Sequence, residues 1–255
     1  MSGFTTENPE LSVVIPARNE AGNIEATVRD LYAVLRAAGI THEVLVLDDN
    51  STDNTGVVLR ALAAEVPGLR VVTRGPPGGY GLAVRDGLDA ARGWAVAVYM
   101  ADASDDPRDL VRFLEAMKRH NVDCVFGTRF DPRSRVVDYP LPKLVLNRAA
   151  NRFISTLFGL DYNDVTNAFK MFRRSTLEGL KPCLSHHFNL TVELPLKAIV
   201  RGYTYVVLPN DWFNRKHGES KLRIKEMGSR YMFVVLYCLI EKWFGAGDYD
   251  KRSTP

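Results

Sequence analysis

The stretch VYMADASDDP, residues 98–107, runs an apolar, strand-like segment straight into Asp102, Asp105 and Asp106. Carboxylates crowded together repel one another unless a proton or a cation intervenes. Their oxygens are hard donors suited to Mg2+ or Mn2+, and an ion held there could also bridge a diphosphate. The same residues could instead cap a helix beginning at Pro107: Asp105 or Asp106 would accept from its free N–H groups, and Asp109 would complement its dipole. The two roles are compatible.

Other polar residues end apolar runs in the same way. IPARNE (15–20) offers Pro16, Arg18, Asn19 and Glu20, and LDDNSTDNT (47–55) offers Asp48 and Asp49. Such side chains can hydrogen-bond a base and a ribose, or form plain turns. GPPGGYG (75–81) is either a turn or, with Gly81, a close backbone approach to phosphate. Residues 129–152 carry six Lys/Arg against two Asp, a balance of +4, and residues 212–230 carry six against two Glu, again +4. Such clusters are solvated faces or phosphate-binding ones.

Positioning these residues requires an alternation of elements. β-branched runs recur at 11–17, 42–49, 69–74, 94–102 and 123–130, with helical periodicity between them, as in Ile24, Val28, Leu31 and Leu35 of a helix over 20–38 and in a helix over 107–120. Repeated strand–helix–strand units predict an α/β fold, a mostly parallel central sheet flanked by helices. Ligands bind such sheets at the carboxyl ends of the strands, where the polar residues cluster. Beyond Phe130 the rhythm breaks. The pattern predicts a helix near 143–158, a strand at 167–174, a helix at 190–201 that Pro195 should kink or start, a strand at 203–209 and a last helix.

At 255 residues, 46% apolar and 25% charged, the chain suits one main globular domain. A formal charge of +3 gives no case for nucleic acid. Cys124, Cys183 and Cys238 are far apart, which points to neither zinc nor a disulfide framework and favours a reducing compartment. The N-terminal residues lack a secretory pattern, so a cytoplasmic location is expected. The longest apolar run, 231–240, is half of the ~20 residues needed to cross a bilayer. Dinucleotide (G-x-G-x-x-G), P-loop and G-x-S-x-G signatures are missing.

SVVIPARNEAGNI, EVLVLDDNSTDNT, GLAVRDG, YMADASDDP, GTRF, DVTNAFKMFRR and WFNRKHGESKL, in this order, resemble the inverting family 2 glycosyltransferases of the GT-A fold, in particular the dolichyl- or polyprenyl-phosphate mannosyltransferase branch, over about residues 10–225. The resemblance implies transfer of a hexose from a GDP- or UDP-sugar. Pro16, Asn19, Glu20 and Asp49 would surround the nucleoside, Arg18 (in place of a common Tyr), Asp48, Gly81 and Arg85 would contact substrate, and Mg2+ or Mn2+ would sit among Asp102, Asp105 and Asp106. The family reads Asp-Ala-Asp after the Met and Gln two residues on. This chain has Ala101 and Ala103 at the Asp positions, Asp102 between them and Asp105 at the Gln position. Either the loop shifts by one residue so that Asp102 takes over, or Asp105 and Asp106 hold the ion.

A polyprenyl phosphate acceptor is already ionised near neutral pH, which makes a general base optional. A hydroxyl acceptor would need one, for which Asp164 is the first candidate and Glu193 the second. Arg129, Arg215 and Lys221 would steady donor and acceptor phosphates. Residues 1–222 would form the catalytic domain, and 223–255 an amphipathic helix and tail lying on the cytoplasmic membrane face, covering the core or forming a homodimer contact. Transfer to a soluble hydroxyl acceptor and a catalytically silent nucleotide-sugar binder are the alternative readings.

Overall fold

The computed structural model describes Thr5 and residues 7–214 and 224–251, with backbone alone over 224–227. The chain runs β1 (Leu11–Ala17), α1 (Ile24–Ala37), β2 (His42–Asp49), α2 (Thr55–Glu65), β3 (Leu69–Arg74), α3 (Tyr80–Ala90), β4 (Ala95–Val98), α4 (Pro107–His120), β5 (Cys124–Thr128), β6 (Val136–Val137), α5 (Leu141–Phe158), β7 (Lys170–Arg173), α6 (Arg174–Gly179), α7 (Leu190–Val200), β8 (Tyr205–Pro209), β9 (Trp212–Phe213) and α8 (Ile224–Phe244). The α/β expectation holds: a seven-stranded sheet in the order β3-β2-β1-β4-β7-β5-β8, parallel except for β7.

The strands are apolar at nearly every position because both faces are covered. Val14, Leu45, Leu47, Val96, Val98, Phe126 and Phe172 face one apolar layer, which α3, α5, α7 and α8 complete. Val13, Ile15, Val44, Val46, Val125 and Met171 face the other, completed by α1, α2 and α4. Each fully buried Leu, Ile, Val or Phe contributes about 1.5–3 kcal/mol relative to exposure, so the sheet is a rigid base for the loops at its edge.

β7 decides the site. An antiparallel strand begins where its parallel neighbours end, so the loop before β7 lies at the carboxyl ends of β4 and β5. That loop carries Asp164. A second sheet of β6 and β9, joined by a bridge between Asp105 and Trp212, runs over the acidic turn.

Several boundaries differ from expectation. β4 stops at Val98 rather than 102, because the chain turns through Ala103 at φ 55°. α1 starts at Ile24 after a turn, and β7 spans only four residues. α7 does not begin at Pro195: it continues through it, with a Glu193–Lys197 pair at 2.7 Å spanning the proline. Among the described residues, no helix is long and apolar enough to cross a membrane.

Candidate active site

β1 and β2 end side by side, Pro16 opposite Leu47 and Ala17 opposite Asp48. After β1 the chain reverses at Asn19, φ 53°, a conformation Asn tolerates better than most residues. The Asn19 N–H donates to Ser51 Oγ at 3.0 Å and its Oδ1 accepts from the Thr52 N–H at 2.7 Å. The Glu20 N–H donates to Thr55 Oγ1 at 2.8 Å. The two polar turns therefore brace each other and define one wall. Asp48 and Asp49 are buried there. Asp49 pairs with Arg74 and accepts from the Gly79 N–H at 2.7 Å, fixing the entrance to α3. Arg18 is exposed and reaches the same turn, 3.0 Å from where a side chain on Gly78 would start.

Gly79 and Gly81 serve packing. A Cβ on Gly79 would run into the His186 carbonyl oxygen, and one on Gly81 would lie 2.6 Å from that of Ser185. This close approach seats α3 against the 184–189 segment, where Tyr80 stacks on Phe188 with ring centroids 4.3 Å apart. Arg85 lies further along α3, near enough to Cys183 to act electrostatically on its thiol.

The acidic turn forms the opposite wall. Asp102 and Asp105 are both buried, each with 5% exposure. The Ser104 N–H donates to Asp102 Oδ1 at 3.2 Å, and the neighbouring Ala101 carbonyl accepts from Thr27 of α1 at 3.0 Å. The Asp105 carbonyl accepts from the Tyr99 hydroxyl at 2.5 Å, and Asn210 Nδ2 lies 3.5 Å from Oδ1. Burial and the neighbouring Asp102 push the Asp105 carboxyl up to about 8, against the pull of Arg129. Asp106 is half-buried and engaged elsewhere. It caps α4, accepting from the Arg108 N–H at 2.9 Å, and its hydrogen bonds to the Arg108 guanidinium hold its pKa below the usual range.

Arg129 follows β5 and meets Asp164 across the loop before β7. Two guanidinium N–H groups donate to the two carboxylate oxygens, each at 2.8 Å, and the Arg129 backbone N–H adds a third bond at 2.9 Å. Asp164 is fully buried, and Asn151 and Thr166 crowd Oδ1 at 3.4 and 3.5 Å. Burial alone would lower the Arg129 pKa, but Asp164 outweighs it and the net shift is upward. A carboxylate engaged in this way anchors a cation. Glu193 is occupied too: it pairs with Lys197 and accepts from the Leu184 and Ser185 N–H groups at 2.7 Å each. Both general-base candidates are therefore already committed to structural partners. Arg215 and Lys221 lie outside the described residues.

Five further side chains enter the site. Tyr80 lies within the electrostatic reach of Asp102, Asp105 and Tyr231, and burial raises its pKa. Tyr231 of α8 donates to the Phe188 carbonyl at 3.2 Å and senses Arg129. Asn210 joins Asn167 at 2.8 Å, and Lys170 lies under the loop that holds Asp164. Composition and spacing carry no sign of Tyr80 or Tyr231. Asn167 and Lys170 stand inside DVTNAFKMFRR, but that motif alone does not say which way they face.

The family described as glycosyl transferase family 2 matches residues 12–180. This chain belongs to glycosyltransferase family 2. It is 33% identical over 216 residues to a polyprenol monophosphomannose synthase of Mycolicibacterium smegmatis, covering 82% of this chain and 80% of that one. It is 31% identical over 239 residues to an undecaprenyl-phosphate mannosyltransferase of Micrococcus luteus, covering 91% and 95%. Among solved structures, glucosyl-3-phosphoglycerate synthase of Mycobacterium tuberculosis, crystallised with Mn2+, UDP and phosphoglyceric acid, superposes with a TM-score of 0.67 at 18% identity, over 95% of this chain and 84% of that one. The GT-A architecture expected from the sequence is therefore the observed one, and the protein is a glycosyltransferase.

Proposed function

We propose that this glycosyltransferase moves a hexose from a GDP- or UDP-sugar onto a polyprenyl phosphate, with inversion at the anomeric carbon. The names of the two relatives favour mannose and a polyprenyl acceptor. The observation that carries the reading is the state of the candidate bases: Asp164 is taken by Arg129 and Glu193 by Lys197, which suits an acceptor that arrives ionised. The soluble-hydroxyl reading needs one of these carboxylates released.

Asp102 and Asp105 fit a divalent cation. Their oxygens are hard donors, both are buried, and Asp105 holds its proton because of burial and of Asp102, a cost that a cation would relieve. Among the described residues no group of three or more His, Cys, Asp or Glu is gathered as a metal cage, so the donor diphosphate and water would supply the remaining ligands. When bound, Mg2+ or Mn2+ would neutralise the leaving diphosphate. Arg129, fixed by Asp164, would direct its remaining N–H donors to phosphate oxygens. The walls built by Asn19, Glu20 and Asp49 would receive the nucleoside, and the acceptor oxygen would attack in line from the side opposite the diphosphate.

The acceptor's lipid tail has a matching surface. α5 exposes Leu141, Val145 and Phe153, and α8 exposes Phe233, Leu236, Ile240 and Trp243. Lys143, Arg148 and Arg152 lie on α5, a composition suited to the cytoplasmic face of an anionic membrane. The test is transfer from radiolabelled GDP-mannose, GDP-glucose, UDP-mannose and UDP-glucose to polyprenyl phosphate in the presence of Mn2+. A labelled, acid-labile lipid product with one donor is expected. Product formed only with soluble hydroxyl acceptors would overturn the acceptor assignment.

A further inference from the structure

Lys170 is a lysine in the middle of the sheet. It lies on β7, opposite Val98 of β4 and Phe126 of β5, and only 2% of it is exposed. An ammonium ion so placed costs free energy unless its protons are used. Its Nζ donates to the Val165 carbonyl at 3.1 Å and to the Asn167 carbonyl. These carbonyls belong to the loop that reaches both halves of the site. Asp164, one residue before Val165, holds Arg129, while the side chain of Asn167 bonds Asn210, which lies 3.5 Å from Asp105. The Thr166 N–H is held by Asn151 Oδ1 at 3.0 Å, so the loop is tied to α5 on one side and to Lys170 beneath.

We propose that Lys170 is a positioning residue for sugar transfer: by drawing the Val165 and Asn167 carbonyls onto one ammonium, it sets Arg129 and Asp105 at the separation the reaction needs. The inference rests on the roles given above to those two residues. Lys170 itself touches neither substrate nor the reacting atoms.

Burial lowers the Lys170 pKa to about 7, with Asp164 pulling it up and Arg129 pushing it down. Among the described residues, these two are the charged groups acting on it, and Tyr80 of α3 is the titratable group lining the same small cleft. Below about 7 the ammonium holds both carbonyls; above it the neutral amine holds them more weakly. The effect on folding has the opposite sign. A lysine whose folded pKa is below its ordinary 10.5 makes the native state more stable as pH rises from 7 towards 10.5. Turnover lost above pH 7 through this group is therefore not unfolding.

The experiment compares wild type, K170M and K170R in metal-saturated transfer from GDP-mannose to polyprenyl phosphate across pH 6–9, with melting curves, and follows the Arg129 Nε–H resonance of wild type and K170R, both saturated with Mg2+ so that Asp105 keeps its charge, by NMR over the same range. The expectation for K170M is a kcat lower by about 10- to 100-fold with donor KM within about twofold, the scale of a small misplacement. K170R, always charged, should lose the wild-type inflection near pH 7. The Arg129 resonance should show that inflection in the wild type. A K170M enzyme with wild-type kcat, an unchanged inflection in K170R, or an Arg129 resonance that does not respond near pH 7 overturns the proposal. If the wild type transfers nothing to polyprenyl phosphate, the acceptor reading fails by itself, and the Arg129 titration still decides the role of Lys170. It also decides if K170M does not fold.

Discussion

Asp105 shows what a functional residue costs the fold. Buried beside Asp102, its carboxyl is held protonated well above the ordinary range, so ionising it without a cation works against the native state as pH rises from 4 towards 8. Replacing Asp105 with Asn should raise the melting temperature of the metal-free protein at pH 8 by about 2–4 °C per kcal/mol gained, while metal-stimulated transfer falls by about 100-fold or more; calorimetry and transfer assays check both. Asp164→Asn should instead lower stability. It leaves the buried Arg129 with a weakened partner, for which about 3–5 kcal/mol of destabilisation is expected by urea unfolding. Asp102, Asp105 and the Asn19–Glu20 turn are legible in the sequence because charge crowded at the end of an apolar strand is costly unless a cation or a ligand uses it. The partnership of Arg129 with Asp164 is not, since 35 residues separate them and only the direction of β7 brings them together. Asp164, a general-base candidate by sequence, is better described by its three bonds to Arg129.

At the scale of elements, the parallel strands are legible from their apolar runs, and β1, β2 and β3 match the expected limits. The orientation of β7 is not, because a four-residue strand buried on both faces reads the same in either direction. The glycine-rich turn is legible only as a turn. Its use is close contact: Gly81→Ala places a Cβ 2.6 Å from a backbone oxygen, and backbone cannot yield as a side-chain tip can. This substitution should lower stability by roughly 1–3 kcal/mol through overpacking and raise donor KM, as thermal melts and steady-state kinetics will show. The apolar run at 231–244 lies within α8, which already begins at Ile224. Its inner residues Val234, Val235, Cys238 and Leu239 are part of the main apolar layer, and Glu241 takes Arg201 through two bonds of 2.6 and 3.0 Å. Glu241→Ala should therefore destabilise the whole protein by about 3–5 kcal/mol in urea unfolding, leaving Arg201 buried without its carboxylate.

The whole molecule joins a polar cleft at one edge of the sheet to an apolar surface on α5 and α8. α8 is apolar on both sides: one is closed by the core, while the other exposes Phe233, Leu236, Ile240 and Trp243. Lys242 reaches the Phe158 carbonyl at 2.8 Å and so joins the carboxyl ends of the two helices. Phe233→Asp with Ile240→Asp should leave the melting temperature within about 4 °C, since surface substitutions stay near 0.5 kcal/mol each, yet reduce sedimentation with anionic vesicles and turnover of polyprenyl phosphate. A shift from dimer to monomer with vesicle binding unchanged would instead make this face a contact between copies.

The central claim is that Asp102 and Asp105 hold a divalent cation against the donor diphosphate. Anomalous diffraction from crystals grown with Mn2+ and GDP or UDP tests it most directly. The account predicts a manganese peak about 2.0–2.6 Å from an oxygen of Asp102 or Asp105, with the diphosphate as its other ligand. Manganese and nucleotide bound together at a different place, with both carboxylates uncoordinated, would contradict it.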